Sequence, residues 1–120
     1  MSRFDVVDVD DLEEEGPGGI VRKARRALGV RAFGINWFVF PPNAEGREHD
    51  HADAGLEEVY VVVRGSGRML VDGEEVELWP GRFVRVDPGA TRQPVSGEEG
   101  LEYVVVGAPL EGAYEPPAWG

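Results

Sequence analysis

The 120-residue sequence has no cysteine, only two histidines, and 12 basic residues against 23 acidic ones. Without cysteine there is no disulfide framework, no thiolate metal ligand and no cysteine nucleophile, which is compatible with a reducing compartment. No apolar run approaches the roughly 20 residues of a membrane-spanning helix, and residues 1–5 carry no apolar signal core. We therefore expect one soluble, cytoplasmic domain with no membrane partner.

The net charge of -11 is concentrated at the start of the chain. Residues 1–15 hold one arginine and the following acids: Asp5, Asp8, Asp10, Asp11, Glu13, Glu14 and Glu15. Because an acidic chain repels nucleic-acid phosphates, we expect no nucleic-acid partner. One basic stretch follows, made of Arg22, Lys23, Arg25, Arg26 and Arg31. We interpret it as a patch that pairs with the acidic segment, with phosphate binding as the alternative.

From Val30 onward, β-branched and aromatic runs alternate with Gly and Pro, a pattern typical of an all-β domain. The predicted strands are Arg31–Phe40, Glu58–Arg64, Arg68–Val71, Glu74–Leu78, Arg82–Val86, Arg92–Val95 and Leu101–Val106. Asp72-Gly73 predicts a tight hairpin turn of the primed type. Several runs are apolar on both faces, which favours a closed barrel or jelly roll over an open sheet. A short helix is predicted at Ala24–Leu28, ending at Gly29.

These patterns divide the chain into three segments within one domain. Residues 1–29 form an N-terminal arm, first acidic and then basic, in which Phe4–Val9 alternates like an edge strand. Residues 30–110 form the β-barrel, and residues 111–120 form a proline-containing C-terminal strap. Such an exposed arm strand favours exchange between two copies, so we expect a homodimer.

The histidines are separated by one residue, as His49-Asp50-His51, and Glu58 follows seven positions later. Residues i and i+2 of an extended strand point to the same face with Cα atoms roughly 6.5 Å apart. Two imidazoles and a carboxylate are common ligands of divalent transition metals. We therefore treat His49, His51 and Glu58 as candidate metal ligands.

The spacing around these residues resembles the first motif of the cupins: a glycine, five residues, His-x-His, three or so residues, a glutamate, six residues and a glycine. The interval between His51 and Glu58 is longer in this chain, through an insertion in the turn Ala52–Glu57. Here Asn43 stands at the first glycine position and tolerates the same left-handed conformation, while Gly65 stands at the last. The spacing to Gly65 selects Glu58 over Glu57, which alternation places on the opposite face. The chain thus resembles a small single-domain cupin from about Arg31 to Gly107, which implies a double-stranded β-helix, the jelly-roll cupin barrel, with an extended N-terminal arm.

This chain differs from the second cupin motif at one residue. The turn Pro88-Gly89 is present, but Arg92 occupies the position where cupins usually have a fourth ligand, a histidine. Arginine offers only hydrogen-bond donors and cannot coordinate a cation. The resemblance therefore implies three metal ligands for iron, manganese, nickel or zinc, with Arg92 and Tyr60 as ligand-binding residues and no organic cofactor. In the alternative, Arg92 pairs with Glu58 in place of the metal.

The resemblance implies a barrel that binds a small polar or anionic molecule. If the protein is an enzyme, the resemblance implies a metal-dependent dioxygenase, isomerase or decarboxylase, and the sequence identifies no catalytic residue. The alternatives are a metal-free binding module and a scaffold that acts through its acidic arm. Fold resemblance does not decide among them.

Overall fold

The computed structural model describes residues 3–120, and the predicted all-β architecture is confirmed. The regular elements are β1 (Val21–Arg22), α1 (Ala24–Leu28), β2 (Gly34–Phe40), β3 (Leu56–Val71), β4 (Glu74–Leu78), β5 (Phe83–Val86) and β6 (Arg92–Pro109). Single 3-10 turns occupy Val9–Asp11 and Pro17–Gly19. Within residues 3–120, no helix is long and apolar enough to cross a membrane.

All strand pairs are antiparallel, and β3 and β6 form the centre of the sheet. The strand order is β1-β2-β6-β3-β4, and β5 pairs with the first half of β3 on the side away from β6. With 16 and 18 residues, β3 and β6 are long enough to contribute to both halves of the barrel. The glutamate of the first motif lies in the first half of β3, and Arg92 begins β6 in the other half.

The prediction of separate strands on either side of Gly65-Ser66-Gly67 is wrong, because β3 runs through this segment. The pairing of β3 with β6 shifts register between Gly65 and Gly67, which marks an irregularity where the strand bends. A side chain at Gly65 would collide with the Gly100 carbonyl oxygen on β6. Glycine therefore bends the paired strands at this point instead of ending them. The same holds for Ser96-Gly97, which lies inside β6.

The predicted turns and helix have the expected backbone conformations. Asp72 and Gly73 have φ values of 50° and 82°, as a primed turn between β3 and β4 requires. Asn43 has a φ of 53°, the left-handed conformation expected of the residue that replaces the motif glycine. Gly29 ends α1 with a φ of 72°, and its N–H donates to the carbonyls of Arg25 and Arg26.

Strand alternation places Tyr60 and Val62 on the inner face of β3, opposite Val105 and Tyr103 of β6. The Tyr103 ring stacks on Phe38 at 5.3 Å between centroids and meets the Tyr60 ring edge-on at 5.2 Å. The buried apolar cluster consists of Phe40, Tyr60, Val62, Met69, Leu78, Val86, Leu101, Tyr103 and Val105. Four polar residues are also buried: Asn36, Glu58, Arg92 and Ser96.

The N-terminal arm contacts the basic stretch through two ion pairs. Arg22 lies 3.4 Å from Glu14 and Lys23 lies 3.4 Å from Glu15, which confirms the predicted pairing for these two residues. Arg25 and Arg26 instead donate hydrogen bonds to backbone carbonyls of the C-terminal strap. Phe4–Val9 forms no strand within the single chain, so a strand role for it requires a second copy.

Candidate metal centre

Glu58 is fixed on the inner face of β3 by pairing on both sides. Its strand neighbours are Val86 of β5 and Gly107 of β6, and only 9% of its surface is exposed. Glu57 points outward and forms an ion pair with Arg85 at 3.1 Å. The prediction that Glu58 and not Glu57 faces the barrel interior is confirmed, because alternation along β3 places successive side chains on opposite faces.

The two histidines lie on an extended segment that pairs with β6 at single points instead of forming a full strand. The backbone of His49 exchanges two hydrogen bonds with Arg92, of 2.9 and 2.8 Å, and the His51 N–H donates to the Pro88 carbonyl at 2.9 Å. These bonds bring the segment across the barrel from Glu58. The imidazole centroids are 5.0 Å apart and their planes are nearly perpendicular, at 86°.

One ligand atom from each of His49, His51 and Glu58 lies within 4.8 Å of the other two. Opposite ligands of one transition-metal ion, at bond lengths near 2.1 Å, are about 4.2 Å apart. The observed span therefore fits one ion after side-chain movements of less than about 1 Å. Two neutral nitrogen donors and one carboxylate suit iron, manganese, nickel or zinc. The donor set thus fits a divalent metal.

Two side chains contact the same oxygen of Glu58. His51 Nε2 lies 3.2 Å from Glu58 Oε1, and the Tyr60 hydroxyl donates to Oε1 at 2.9 Å. Burial raises the pKa of Glu58, but the contacts with His51 and Tyr60 and the charge of Arg92 outweigh it and hold the pKa below its ordinary value. Burial and the adjacent Glu58 charge raise the pKa of Tyr60, so Tyr60 stays a neutral hydrogen-bond donor.

His49 has a defined tautomer. Its Nδ1 lies 3.1 Å from the Arg47 carbonyl oxygen, which can only accept, so Nδ1 carries the proton. This leaves the Nε2 lone pair for a metal, and a partner on the other ring nitrogen is typical of metal-binding histidines. Burial lowers the pKa of His49 from 6.5, which favours the neutral form that coordinates metals.

Arg92 lies beside this group and is completely buried, with 0% of its surface exposed. One terminal nitrogen, NH2, donates to the Asp87 carbonyl at 3.1 Å and lies 4.0 Å from Glu58 Oε1. The other two guanidinium nitrogens, Nε and NH1, have no hydrogen-bond partner. Buried polar groups are rarely left without partners, and a buried charge more rarely still. Two buried donors next to the candidate metal ligands therefore have no partner within the described chain.

One glycine that the sequence analysis did not single out, Gly107, makes room for the Glu58 side chain. Gly34 of β2 and Gly107 of β6 are directly paired, and Gly107 also pairs with Glu58. A Cβ at Gly107 would lie 2.9 Å from Glu58 Cγ and 3.4 Å from Glu58 Oε2. In the next row of the same face, Asn36 is 8% exposed and its Oδ1 has no hydrogen-bond partner.

The five residues singled out from the sequence therefore lie together: His49, His51, Glu58, Tyr60 and Arg92. Asn36 is also buried, on the inner face of β2. Gln93 is only half-buried and donates to the Gly46 carbonyl at 3.0 Å. The carbonyls of Arg47, Asp87 and Pro88 also position the site, and side-chain identity carries no signal for such backbone roles.

Comparisons with known proteins agree with this architecture. The sequence pattern of the family described as Cupin domain matches residues 36–107, which include both histidines, Glu58 and Arg92. No curated protein matches the chain by sequence.

Solved structures of cupins superpose on most of the chain. A cupin protein from Bacteroides fragilis has a TM-score of 0.77 at 18% identity and covers 98% of this chain and 93% of its own. A predicted oxalate decarboxylase from Thermotoga maritima has a TM-score of 0.74 at 21% identity, covering 88% of this chain and 99% of its own. A Cupin 2 conserved barrel domain protein from Salinispora arenicola has a TM-score of 0.70 at 20% identity, covering 92% and 91%. With its family pattern, its jelly-roll barrel and its inward-facing His-His-Glu group, this chain belongs to the cupin family.

Proposed function

We propose that this cupin holds a divalent transition metal through His49, His51 and Glu58 and binds a small anionic molecule beside it through Arg92. Nε and NH1 of Arg92 are buried without partners, and this observation carries the proposal. A carboxylate or similar anion would accept hydrogen bonds from the guanidinium and neutralise its charge. The same anion would separate the guanidinium from a nearby metal cation, which the guanidinium would otherwise repel.

A bound metal would act as a Lewis acid or, in the case of iron, as a centre for oxygen chemistry. The chain's own residues have separate roles around it. His49 keeps its proton on Nδ1 through the Arg47 carbonyl, so its Nε2 faces the site as a donor. Tyr60 donates to Glu58 and keeps that carboxylate oriented and ionised. Arg92 orients the anionic group. Two of the solved structures similar to this chain are described as different enzymes, a predicted oxalate decarboxylase and a DMSP lyase, and oxalate is a small dicarboxylate.

A second candidate is a metal-free binding barrel in which Arg92 supplies the positive charge that the metal would bring. Two contacts favour it: His51 Nε2 already lies 3.2 Å from Glu58 Oε1, and Arg92 NH2 lies 4.0 Å from the same oxygen. The second contact is too long for a hydrogen bond, however, and it leaves Nε and NH1 without partners. The metal-and-anion arrangement satisfies more of the buried groups.

Metal content and anion binding test the proposal together. Protein purified without chelator and supplemented with Fe²⁺, Mn²⁺, Ni²⁺ or Zn²⁺ should retain close to one metal ion per chain after dialysis. Less than about a tenth of an equivalent with every metal would contradict the metal site, because a working site binds at micromolar concentrations or better. The thermal midpoint of the loaded protein should rise with acetate or succinate, and Arg92→Met should abolish the rise.

We also propose that two copies assemble through the N-terminal arm. Phe4 and Val6 are 76% and 78% exposed in the single chain, although both are apolar. Burying them against a second copy would remove this apolar surface from water. Light scattering at micromolar concentration should give the mass of a dimer, and a variant with Phe4→Asp and Val6→Asp should be monomeric. A monomeric wild-type protein would contradict this assembly.

A further inference from the structure

The C-terminal strap, residues 111–120, crosses the end of the barrel that holds the candidate metal ligands. Just before the strap, the Leu110 N–H donates to the Gly55 carbonyl, and the Gly55 N–H donates to the carbonyl of His51. The strap therefore starts beside the loop that carries one of the two histidines. At its other end, Gly120 is buried, and a Cβ there would lie 3.8 Å from Asn36 Nδ2 on the inner face of β2.

Tyr114 is the strap residue that reaches the floor of the site. A Cβ at Gly34 would lie 2.9 Å from the Tyr114 hydroxyl oxygen and 3.3 Å from the ring carbon that bears it. A Cβ at Gly107, directly opposite, would lie 2.9 Å from Glu58 Cγ. Opposed Cβ positions in an antiparallel pair are about 5 Å apart, so the Tyr114 hydroxyl and Glu58 Cγ are at most about 11 Å apart. Burial raises the pKa of Tyr114, and the charge of Glu58 contributes to the rise.

Two arginines of α1 hold the strap in place. Arg25 donates through Nε to the Gly120 carbonyl and through NH1 to the Val30 carbonyl, and Arg26 donates to the Ala118 carbonyl at 3.1 Å. These hydrogen bonds use backbone carbonyls, which any strap sequence would offer. The contact specific to this sequence is the tyrosine ring seated on the glycine pair, where any side chain at Gly34 would displace it.

We propose that the C-terminal strap is a lid at this end of the barrel and that Tyr114, seated on the Gly34–Gly107 pair, is the residue that holds it closed. The inference rests on the proposed function, because the anion bound by Arg92 is the molecule that the lid encloses. Opening requires Tyr114 to leave the glycine pair, and Gly112, two residues earlier, has a φ of 79° and tolerates such a change.

The test uses the fact that His49 and His51 are the chain's only histidines, so histidine-specific chemistry reports on this site alone. The His51 side chain is 24% exposed with the strap in place, so diethyl pyrocarbonate should modify the metal-free full-length protein at a measurable basal rate. The modification is followed by absorbance at 240 nm. It should be about fivefold faster or more in Tyr114→Ala and in Gly34→Ala, as expected when the closed conformation is no longer the most populated one. Gly34→Ala retains the tyrosine but displaces it, so it provides an independent second variant.

Two controls separate the lid from general loosening of the fold. Trp119 lies in the same strap but is 53% exposed, so Trp119→Ala should react at the wild-type rate. Tyr114→Phe keeps the ring on the glycine pair and should also shield the histidines. Equal modification rates in wild type, Tyr114→Ala and Gly34→Ala, with unchanged thermal unfolding, would overturn the lid. This assay needs no metal. If the protein binds no metal but the two variants still react faster than wild type, the proposed function is contradicted and the lid is not.

Discussion

Replacing Arg92 by methionine separates a ligand-binding arginine from a structural counter-ion. The substitution removes a fully buried charge that lies 4.0 Å from Glu58 Oε1 while nearly preserving side-chain volume. At an effective dielectric constant of 20, the attraction lost is about 4 kcal/mol. The substitution also removes two buried donors without partners, each of which costs about 1–3 kcal/mol. The terms nearly cancel, so the free energy of unfolding should change by less than about 2 kcal/mol.

Urea unfolding of chelator-treated protein measures this change in the free energy of unfolding. Thermal unfolding of metal-loaded protein, with and without acetate, then measures the stabilisation by the anion. Wild type should gain about 2.7 kcal/mol at an anion concentration a hundredfold above its dissociation constant, and Arg92→Met should gain nothing. The matched control is Arg85→Met, which removes an exposed arginine paired with Glu57 and Asp87 and should leave both measurements near wild type. A loss of about 3–5 kcal/mol in Arg92→Met, with no acetate effect in wild type, would refute the reasoning, because that is the cost of breaking a structural buried pair.

Three further predictions concern the metal ligands. Arg92→His supplies a fourth ligand and should tighten Zn²⁺ binding at least about tenfold in a chelator competition assay, and an unchanged affinity would place this side chain away from the ion. Burial lowers the pKa of folded His49 below 6.5, so in metal-free protein the unfolded chain takes up this proton first as pH falls. The free energy of unfolding should therefore decline from pH 6.5 down through the lowered pKa, and His49→Gln should flatten this part of the profile. Gly107→Ala places a methyl 2.9 Å from Glu58 Cγ and should lower stability by about 1–3 kcal/mol and weaken Zn²⁺ binding, whereas Gly89→Ala, which meets nothing within 4 Å, should change neither.

The parts of the site that lie close in sequence could be predicted from it. His49 and His51 are neighbours on one extended segment, and alternation along β3 distinguishes Glu58 from Glu57. These relations depend on local geometry, so the structure reproduces them. The place of Arg92 beside these residues follows instead from the resemblance to the second cupin motif, in which it stands at a fixed spacing after the Pro88-Gly89 turn.

Relations between distant strands could not be predicted. The pairing of Gly34 with Gly107 depends on the register of β2 against β6, and the seating of Tyr114 on that pair depends on the path of the strap. Glycines predicted to end strands lie inside β3 and β6, because the hydrogen-bonded ladder continues around the bend. Arg25 was expected to pair with acidic residues, but it donates to backbone carbonyls that lie far away in sequence.

Titration of chelator-stripped protein with Co²⁺ tests the central claim most directly, since calorimetry gives the affinity and the visible spectrum reports the coordination. The account predicts one ion per chain with a dissociation constant at or below about 1 μM, and loss of that binding in both His51→Ala and Glu58→Gln. It also predicts that acetate alters the spectrum of the wild-type complex but not that of Arg92→Met. Absence of binding in wild type, or binding that survives both ligand substitutions, would contradict the assignment of His49, His51 and Glu58 as a metal centre.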